Sequence, residues 1–403
     1  MTGPLARQVF AVGNDPVAVA HTLIDQLGGH ALKIAFVFAD YRLDAVALVE
    51  ALRALPAPVV GCSALGVICA GKQPGREPAA VALGLYGDWV RVGVGIAPEL
   101  SKAALTRGRD AVYQAAHGLG LTAETLDPGR HIAVTFVDGR GHAEEAFCIS
   151  SAAAAPQIRF VGGGASAALD GEPKTYVWAN GTVMIDAALV VVLDSDQPFH
   201  AVTSSHLEPT ELKTVVTAAS GRVIDELDGR PAATRLRHLL ASAGAPLERS
   251  QNMEGDPAGP AGEPEGSRPR GVEEEWTLPT FARYIDGVPY VRSLRKIEGN
   301  RLIVASAVET GQILHVMRPG DLLRVMKRDL GVAAERVGGT MAAFLAFSCV
   351  GRHAEAAVRG TKREMTAVFA AYPTVGFQSL CEQSGMLLVN HTLTGLVIGG
   401  PKP

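Results

Sequence analysis

One pattern recurs three times along the 403 residues and limits the fold more than any other feature. A short apolar run ends on a polar residue, a helical stretch follows, and a second short run breaks at glycine. The first copy is Ile34 to Phe38 with Asp40, then Leu43 to Leu55, then Val59-Val60 breaking at Gly61-Cys62-Ser63. The second is Ile132 to Val137 with Asp138, then Glu144 to Ala155, then Phe160-Val161 breaking at Gly162-Gly163-Gly164. The third is Met341 to Phe347 with Ser348, then a helix from Glu355 to Tyr372 stopped by Pro373, then Thr374-Val375 at Gly376-Phe377. Runs this short without helical spacing read as buried strands, and proline disfavours helix in the residue before it. From polar residue to glycine the separation is 21, 24 and 28 residues, a drift expected when helices and loops lengthen while strands hold register. The pattern predicts an α/β fold of repeated strand-helix-strand units. Any α/β chain offers such triplets; the Val-Gly shared by all three second strands favours a repeat.

Local signals fill the gaps. Asp15-Pro16 opens a helix running to Leu27, with aspartate as cap and proline in the first turn. Asn180-Gly181 marks a hairpin after the strand Thr175 to Trp178. Gly244 to Glu275 is crowded with Pro, Gly, Glu and Ser and has too little apolar content to offset ordering entropy, so a disordered insertion is expected there.

At roughly 150 residues per domain the length suits two or three domains. A formal net charge of −4 and no basic stripe give no electrostatic reason to bind nucleic acid. Five irregularly spaced cysteines fit reduced thiols better than a disulfide framework. No apolar run approaches the ~20 residues of a membrane helix, and the N-terminus lacks an export pattern. These features point to a soluble, cytoplasmic protein without a membrane partner.

Among residues that carry chemistry, Cys349 stands out: a thiol at a strand end, near a helix start, with Arg352 and His353 close behind. Such surroundings lower a thiol toward thiolate, the form needed for a nucleophile, a redox sensor or an iron ligand. The alternative is a small buried hydrophobe, the commoner fate of a free cysteine. The turns Gly61-Cys62-Ser63 and Gly162-Gly163-Gly164 expose backbone N–H groups able to cradle an anion. With Gly376 and the Cys349 segment they would line one cavity if the three units pack around a pseudo-symmetric centre. No zinc spacing, Ser-His-Asp order or dinucleotide fingerprint is present.

The runs Phe347-Ser348-Cys349-Val350-Gly351-Arg352, Val375-Gly376-Phe377 and Asn390-His391-Thr392-Leu393, with Val59 to Gly66, Phe160 to Ser166 and Tyr290 to Ser293, resemble the FIST sensory proteins. One branch of that family contains bacterial haem-dependent nitric oxide sensors. The likeness spans Ile34 onward. It implies a FIST N domain over 30–220 and a FIST C domain over 221–403, with strands packed face to face and helices outside in α-β-β-α layers. It implies a small-molecule sensor acting on a separate partner, either a histidine kinase or a cyclic-dinucleotide enzyme. By the same resemblance, Cys349 and Arg352 are ligand-site residues, Glu382 follows the second strand as an acidic group, and Asn390 and Thr392 match an Asn-x-Thr element. Cys381 departs from the glycine usual there. The implied ligand is an amino-acid-like metabolite or noncovalent haem, for which His353 and His391 flank the family motifs. An enzyme using Cys349 or Cys381 as nucleophile is the alternative from another class.

Overall fold

The computed structural model describes residues 4–29, 31–72, 75–169, 173–242, 279–285 and 287–400. The expected insertion at 244–275 lies outside them. The first copy comprises β1 (Ala6–Val12), α1 (Pro16–Leu27), β2 (Leu32–Asp40), α2 (Ala45–Leu52), β3 (Val59–Ala64), β4 (Val67–Cys69) and β5 (Ala79–Tyr86). The second comprises β6 (Val90–Ala97), α3 (Leu100–Gly118), β7 (His131–Val137), α4 (Glu144–Ala154), β8 (Arg159–Gly164), β9 (Val177–Ala179), β10 (Thr182–Met184) and β11 (Ala188–Ser195). The third opens with β12 (Phe199–Ser204) and is then interrupted in sequence by a separate compact unit, residues 207–320.

That unit contains β13 (Leu207–Ser220), β14 (Val223–Leu227), β15 (Arg230–Pro231), α5 (Ala232–Ser242), β16 (Thr280–Ile285), β17 (Val288–Glu298), β18 (Arg301–Val304) and β19 (Ile313–Pro319). Its strands form one sheet in the order β13-β19-β16-β17-β18-β14-β15. Leu236 and Leu240 of α5 share a core with Ile224, Phe281 and Leu302. The third copy then resumes with α6 (Leu322–Arg336), β20 (Met341–Cys349), α7 (Val350–Val358), α8 (Lys362–Ala370), β21 (Thr374–Ser379), β22 (Glu382–Ser384), β23 (Leu387–Val389) and β24 (Leu393–Gly399).

The three copies form three sheets with one plan. In each, the first strand of the repeat lies parallel to the second, β2 with β3, β7 with β8 and β20 with β21. On its other side it pairs antiparallel with β5, β11 and β24 respectively. The free edge of each second strand is completed by a strand from another copy: β9 on β3, β22 on β8 and β4 on β21. The exchange is cyclic, because the second copy lends to the first, the third to the second and the first to the third. Helices cover the outer faces, as α1 and α2 do with Leu23 and Leu48 against Val37 and Ala82. The inner faces share one core. At its centre Phe38, Phe136, Phe347 and Phe377 pack ring against ring, with Phe38–Phe136 at 5.5 Å, Phe136–Phe347 at 5.7 Å and Phe38–Phe377 at 4.7 Å. Strands packed face to face with helices outside are thus present, as three sheets rather than two layers.

The glycines of the repeat have a backbone role. Gly61, Gly162 and Gly376 face Val37, Thr135 and Ala346 across the parallel pairs. A Cβ at Gly61 or Gly376 would fall onto the carbonyl oxygen of the facing residue, and at Gly162 onto the Thr135 side chain and carbonyl.

One helix differs from the sequence reading. The expected helix Glu355 to Tyr372 is two, broken at Gly360, whose φ of +69° suits glycine. The first of the two starts at Val350, five residues earlier than expected, so Arg352 and His353 are helical. Asp15 caps α1 as expected, its Oδ1 accepting from Val17 N at 2.9 Å, and Asn180-Gly181 turns between β9 and β10. Among the described residues no helix is long and apolar enough to cross a membrane.

The close approach gives a direct test by denaturant melting. Gly376→Ala should destabilise by about 3 kcal/mol, the upper end of overpacking costs. Gly331→Ala in α6, where an added Cβ meets open space, should instead stabilise by about 1 kcal/mol through helix propensity.

Candidate functional site

The strand ends that the repeat makes equivalent carry different chemistry. Two residues beyond the central phenylalanines Phe38, Phe136 and Phe347 stand Asp40, Asp138 and Cys349. Asp40 is held by Arg42, whose Nε donates to Oδ1 at 2.9 Å. Asp138 accepts from Thr175 and from Asp186 N. Both acids are engaged in structural contacts. At the third end β20 runs directly into α7 through Cys349, and a buried polar cluster replaces them.

Arg352 is its centre. The first turn of α7 carries this guanidinium inward, where it is 0 % exposed. Its Nη1 donates to Ser204 O at 3.3 Å and to His206 Nδ1 at 3.4 Å. Among the described residues its Nε and Nη2 have no hydrogen-bond partner, and neither has the buried hydroxyl of Ser348. Burial lowers the guanidinium to about 10, opposed by Glu355, Glu382 and Cys349. Arg352 therefore stays charged at neutral pH. The two open nitrogens are one edge of the guanidinium, the fork that fits two oxygens of a planar anion.

Near this guanidinium stand two carboxyl groups whose acidities are shifted in opposite directions. Glu355, three residues along α7, accepts from His206 Nε2 at 2.8 Å and His391 Nε2 at 2.7 Å through one oxygen, and its other oxygen forms an ion pair with Arg359 Nε at 3.1 Å. Burial opposes its ionisation, but the two imidazoles outweigh that and hold it below the usual carboxylate range. Glu382 opens β22 and is 0 % exposed. Burial pushes it well above the usual range despite the Ser379 hydroxyl at 2.7 Å and Thr392 N at 3.4 Å. Glu355 is thus held ionised, while burial drives Glu382 toward its neutral form.

Cys349 lies beside Glu382 and is 1 % exposed. Burial above all, with the Glu382 carboxyl beside it, pushes its thiol up, the reverse of the lowering expected from Arg352 and His353. The thiol is protonated and sealed, unlike an activated nucleophile. Thr392 ties the cluster to β20, since its carbonyl accepts from Cys349 N at 3.0 Å while its hydroxyl donates to Asn390 O at 2.7 Å.

The structure therefore brings together Cys349, Arg352, Glu382, Asn390, Thr392 and His391. It places the remaining sequence candidates elsewhere. Gly61, Gly162 and Gly376 lie on three separate sheets, and Phe377 belongs to the central ring cluster. Gly163 abuts Phe347 and Phe377, and Gly164 N donates to Cys381 O at 2.7 Å. Cys62 is fully buried with its thiol pushed up by burial, and Ser63 Oγ accepts from Tyr176 N at 3.0 Å. Glu355 and His206 complete the cluster: Glu355 is not a sequence candidate, and His206 enters the sequence reading only as one of six histidines open to a haem iron, behind His353 and His391. Arg352-x-x-Glu355 on one helix face is a local signal for the first; nothing local joins His206 to residues some 150 positions later.

His206, Glu355 and His391 bring ligand atoms within 4.8 Å of one another, a set able to hold a metal ion. Two features disfavour it. A metal-ligating imidazole donates its second N–H to an acceptor, whereas His206 Nδ1 faces a guanidinium donor. Arg352 and Arg359 also exceed the single negative charge, which suits an anion instead. For haem, the two candidate imidazoles differ. His391 Nε2 is committed to Glu355, while among the described residues His353 Nε2 has no partner, and His353 is one of the residues lining a cleft of about 400 Å³. Burial, with Arg352 and Lys362 nearby, lowers His353 to about 3, so it is a neutral imidazole. His353 is thus the uncommitted imidazole of the two, with its Nε2 sealed from solvent.

The same shift sets a pH dependence. An unfolded chain protonates His353 as pH falls through 6.5, whereas the folded chain resists until about 3. Stability from this residue is complete above pH 6.5 and declines below it. Thermal melts between pH 7 and 4 should show a smaller decline for His353→Asn than for the native chain.

Comparison with known proteins gives the family. The family model of the FIST N domain matches residues 33–230 and that of the FIST C domain residues 232–385. Among solved structures, a cyanuric acid hydrolase from A. caulinodans aligns over 99 % of this chain and 100 % of its own, at 9 % identity and a TM-score of 0.32. No curated protein matches. With both family models matched in order along its length, the chain belongs to the FIST domain family.

Proposed function

We propose that this FIST protein senses a small carboxylate-bearing molecule, anchored by Arg352. FIST domains are small-ligand sensory domains of signalling proteins. The observation that carries the reading is the unsatisfied fork: a charged guanidinium, fully buried, with Nε and Nη2 open on one edge. Each unmade buried hydrogen bond costs about 1–3 kcal/mol, more for a charged group, and a carboxylate would satisfy two at once. The ionised Glu355 close by penalises a dianion, which favours a carboxylate over a phosphate. Glu382 and the Ser348 hydroxyl supply further polar contacts. Occupancy would shift the equilibrium of α7, which carries Arg352 and Glu355, and thereby a surface read by a histidine kinase or a cyclic-dinucleotide enzyme in the cytoplasm.

Haem-based sensing of nitric oxide is the second reading, supported by the neutral, unpartnered imidazole of His353. Bound haem would supply the iron to which the gas binds, and His353 would hold it.

One experiment separates the two. The purified chain is titrated by calorimetry with small mono- and dicarboxylic acids and amino acids, and by absorbance with hemin. The first reading expects a saturable acid whose affinity falls at least tenfold in Arg352→Lys, which keeps the charge and loses the fork. No binding acid, together with a sharpened Soret band that shifts with nitric oxide and disappears in His353→Ala, would replace it with the second.

A further inference from the structure

The hydrogen bonds of His206 admit one protonation state. Its Nδ1 lies 3.4 Å from Arg352 Nη1 and its Nε2 lies 2.8 Å from Glu355 Oε2. A guanidinium only donates and an ionised carboxylate only accepts, so Nδ1 is the acceptor and the single ring proton sits on Nε2. The imidazole is therefore neutral. The same Glu355 oxygen also accepts from His391 Nε2 at 2.7 Å.

Three separate stretches of chain meet at this carboxylate. Arg352 and Glu355 belong to α7, His391 to the turn before β24, and His206 to the short connector after β12. Arg352 holds the connector twice, since Nη1 also donates to Ser204 O at 3.3 Å. The hold matters because β12 is an edge strand, paired with β24 alone and ending at Ser204, where strand ends otherwise fray. His206 is followed at once by Leu207, the first residue of β13 in the 207–320 unit.

A proton on Nδ1 undoes this arrangement. The ring then presents N–H to N–H across 3.4 Å, and a third positive charge joins Arg352 and Arg359 around the ionised Glu355. The other groups facing the site do little to balance it. Glu382 of β22 and the Cys349 thiol of β20 are both driven toward their neutral forms, and His391 is a second imidazole. Asp329 of α6 also acts on Arg352 but is paired with Arg328. Burial, opposed by Glu355 and reinforced by Arg352 and His391, lowers His206 below its ordinary 6.5.

From this geometry we infer that His206 is a proton-operated clasp: neutral, it ties the end of β12 to α7, and protonated at Nδ1 it lets go of Arg352 and frees the 204–206 connector. The released connector takes up the proton at higher pH than the closed clasp does, so closure is fully favoured above pH 6.5 and is lost as pH falls below it. Charging a histidine packed against a cation is a physical route to acid-triggered release. The device needs no ligand and goes beyond the carboxylate reading, although both involve Arg352.

Hydrogen–deuterium exchange of the full chain without ligand tests it at pH 7.5 and pH 5, read by mass spectrometry on peptides spanning 199–207 and corrected for the intrinsic pH dependence of exchange. The native chain should lose about tenfold or more of its protection there on acidification. His206→Gln, whose amide donates to Glu355 and accepts from Arg352 but does not titrate, should stay protected at both pH values, and His206→Ala should be open at both. Nitrogen-15 histidine shifts of the native chain supply a readout that depends on no variant's folding: His206 should pass from the Nε2–H form to imidazolium over the range in which protection is lost. Protection that survives at pH 5, that falls equally in His206→Gln, or that falls while His206 stays neutral overturns the inference. The carboxylate reading is measured at pH 7.5 by its own titration with Arg352→Lys, so the two fail separately.

Discussion

Each sheet of the larger unit is finished by a strand that belongs to another copy, and the rest of the structure depends on that exchange. A β-edge left open would present unpaired N–H and C=O groups, a liability that proteins cover or close. Here β9, β22 and β4 close the three edges in rotation. The lent strand must lie flat on its neighbour, and the neighbour must lie flat on the first strand of the repeat. Glycine at 61, 162 and 376 meets that demand where any side chain would strike the facing residue. The inner faces can then meet over Phe38, Phe136, Phe347 and Phe377, which bind the copies into one core.

The exchange also builds the site. To reach β8, the chain leaves β21 at Ser379 and enters β22 at Glu382, which buries that carboxyl beside the end of β20. The return to β24 passes through Asn390, His391 and Thr392, with His391 at a φ of +54° that a non-glycine residue rarely adopts. That conformation accompanies a ring bonded to Glu355. In the first two copies the corresponding strand ends carry aspartates bonded to their own surroundings. Only the third end combines a thiol, a buried guanidinium and two carboxyls shifted in opposite directions, so the proposed ligand site lies where the repeat departs from its own rule.

Much of this was legible in the sequence, and what was not has physical causes. The three strand-helix-strand copies and their glycines could be read because periodicity and backbone demands are local. The alignment slipped by one position in the third copy, where the structure puts Cys349, not Ser348, opposite Asp40 and Asp138, since no acid marks that strand end. Arg352 and Cys349 were found, but the sign of the thiol shift was reversed. Local sequence shows a nearby cation and hides the burial that outweighs it. The glycine turns were expected to meet at a central cavity; they lie on separate sheets around a centre occupied by aromatic rings, because the period-two alternation of each strand decides which face a residue serves. His206 could not be joined to Glu355 from sequence, since the pairing crosses the whole 207–320 unit.

Arg352 carries the functional account, and its open edge can be examined directly. A high-resolution crystal structure of the full chain, purified without added ligand and then soaked in the acid with highest affinity, would show what completes the fork. The account predicts a carboxylate with its two oxygens about 2.8 Å from Nε and Nη2, the usual length of a charge-assisted bond, and Ser348 within reach of the same group. Nε and Nη2 bonded instead to protein carbonyls, with the acid seated elsewhere, would contradict it.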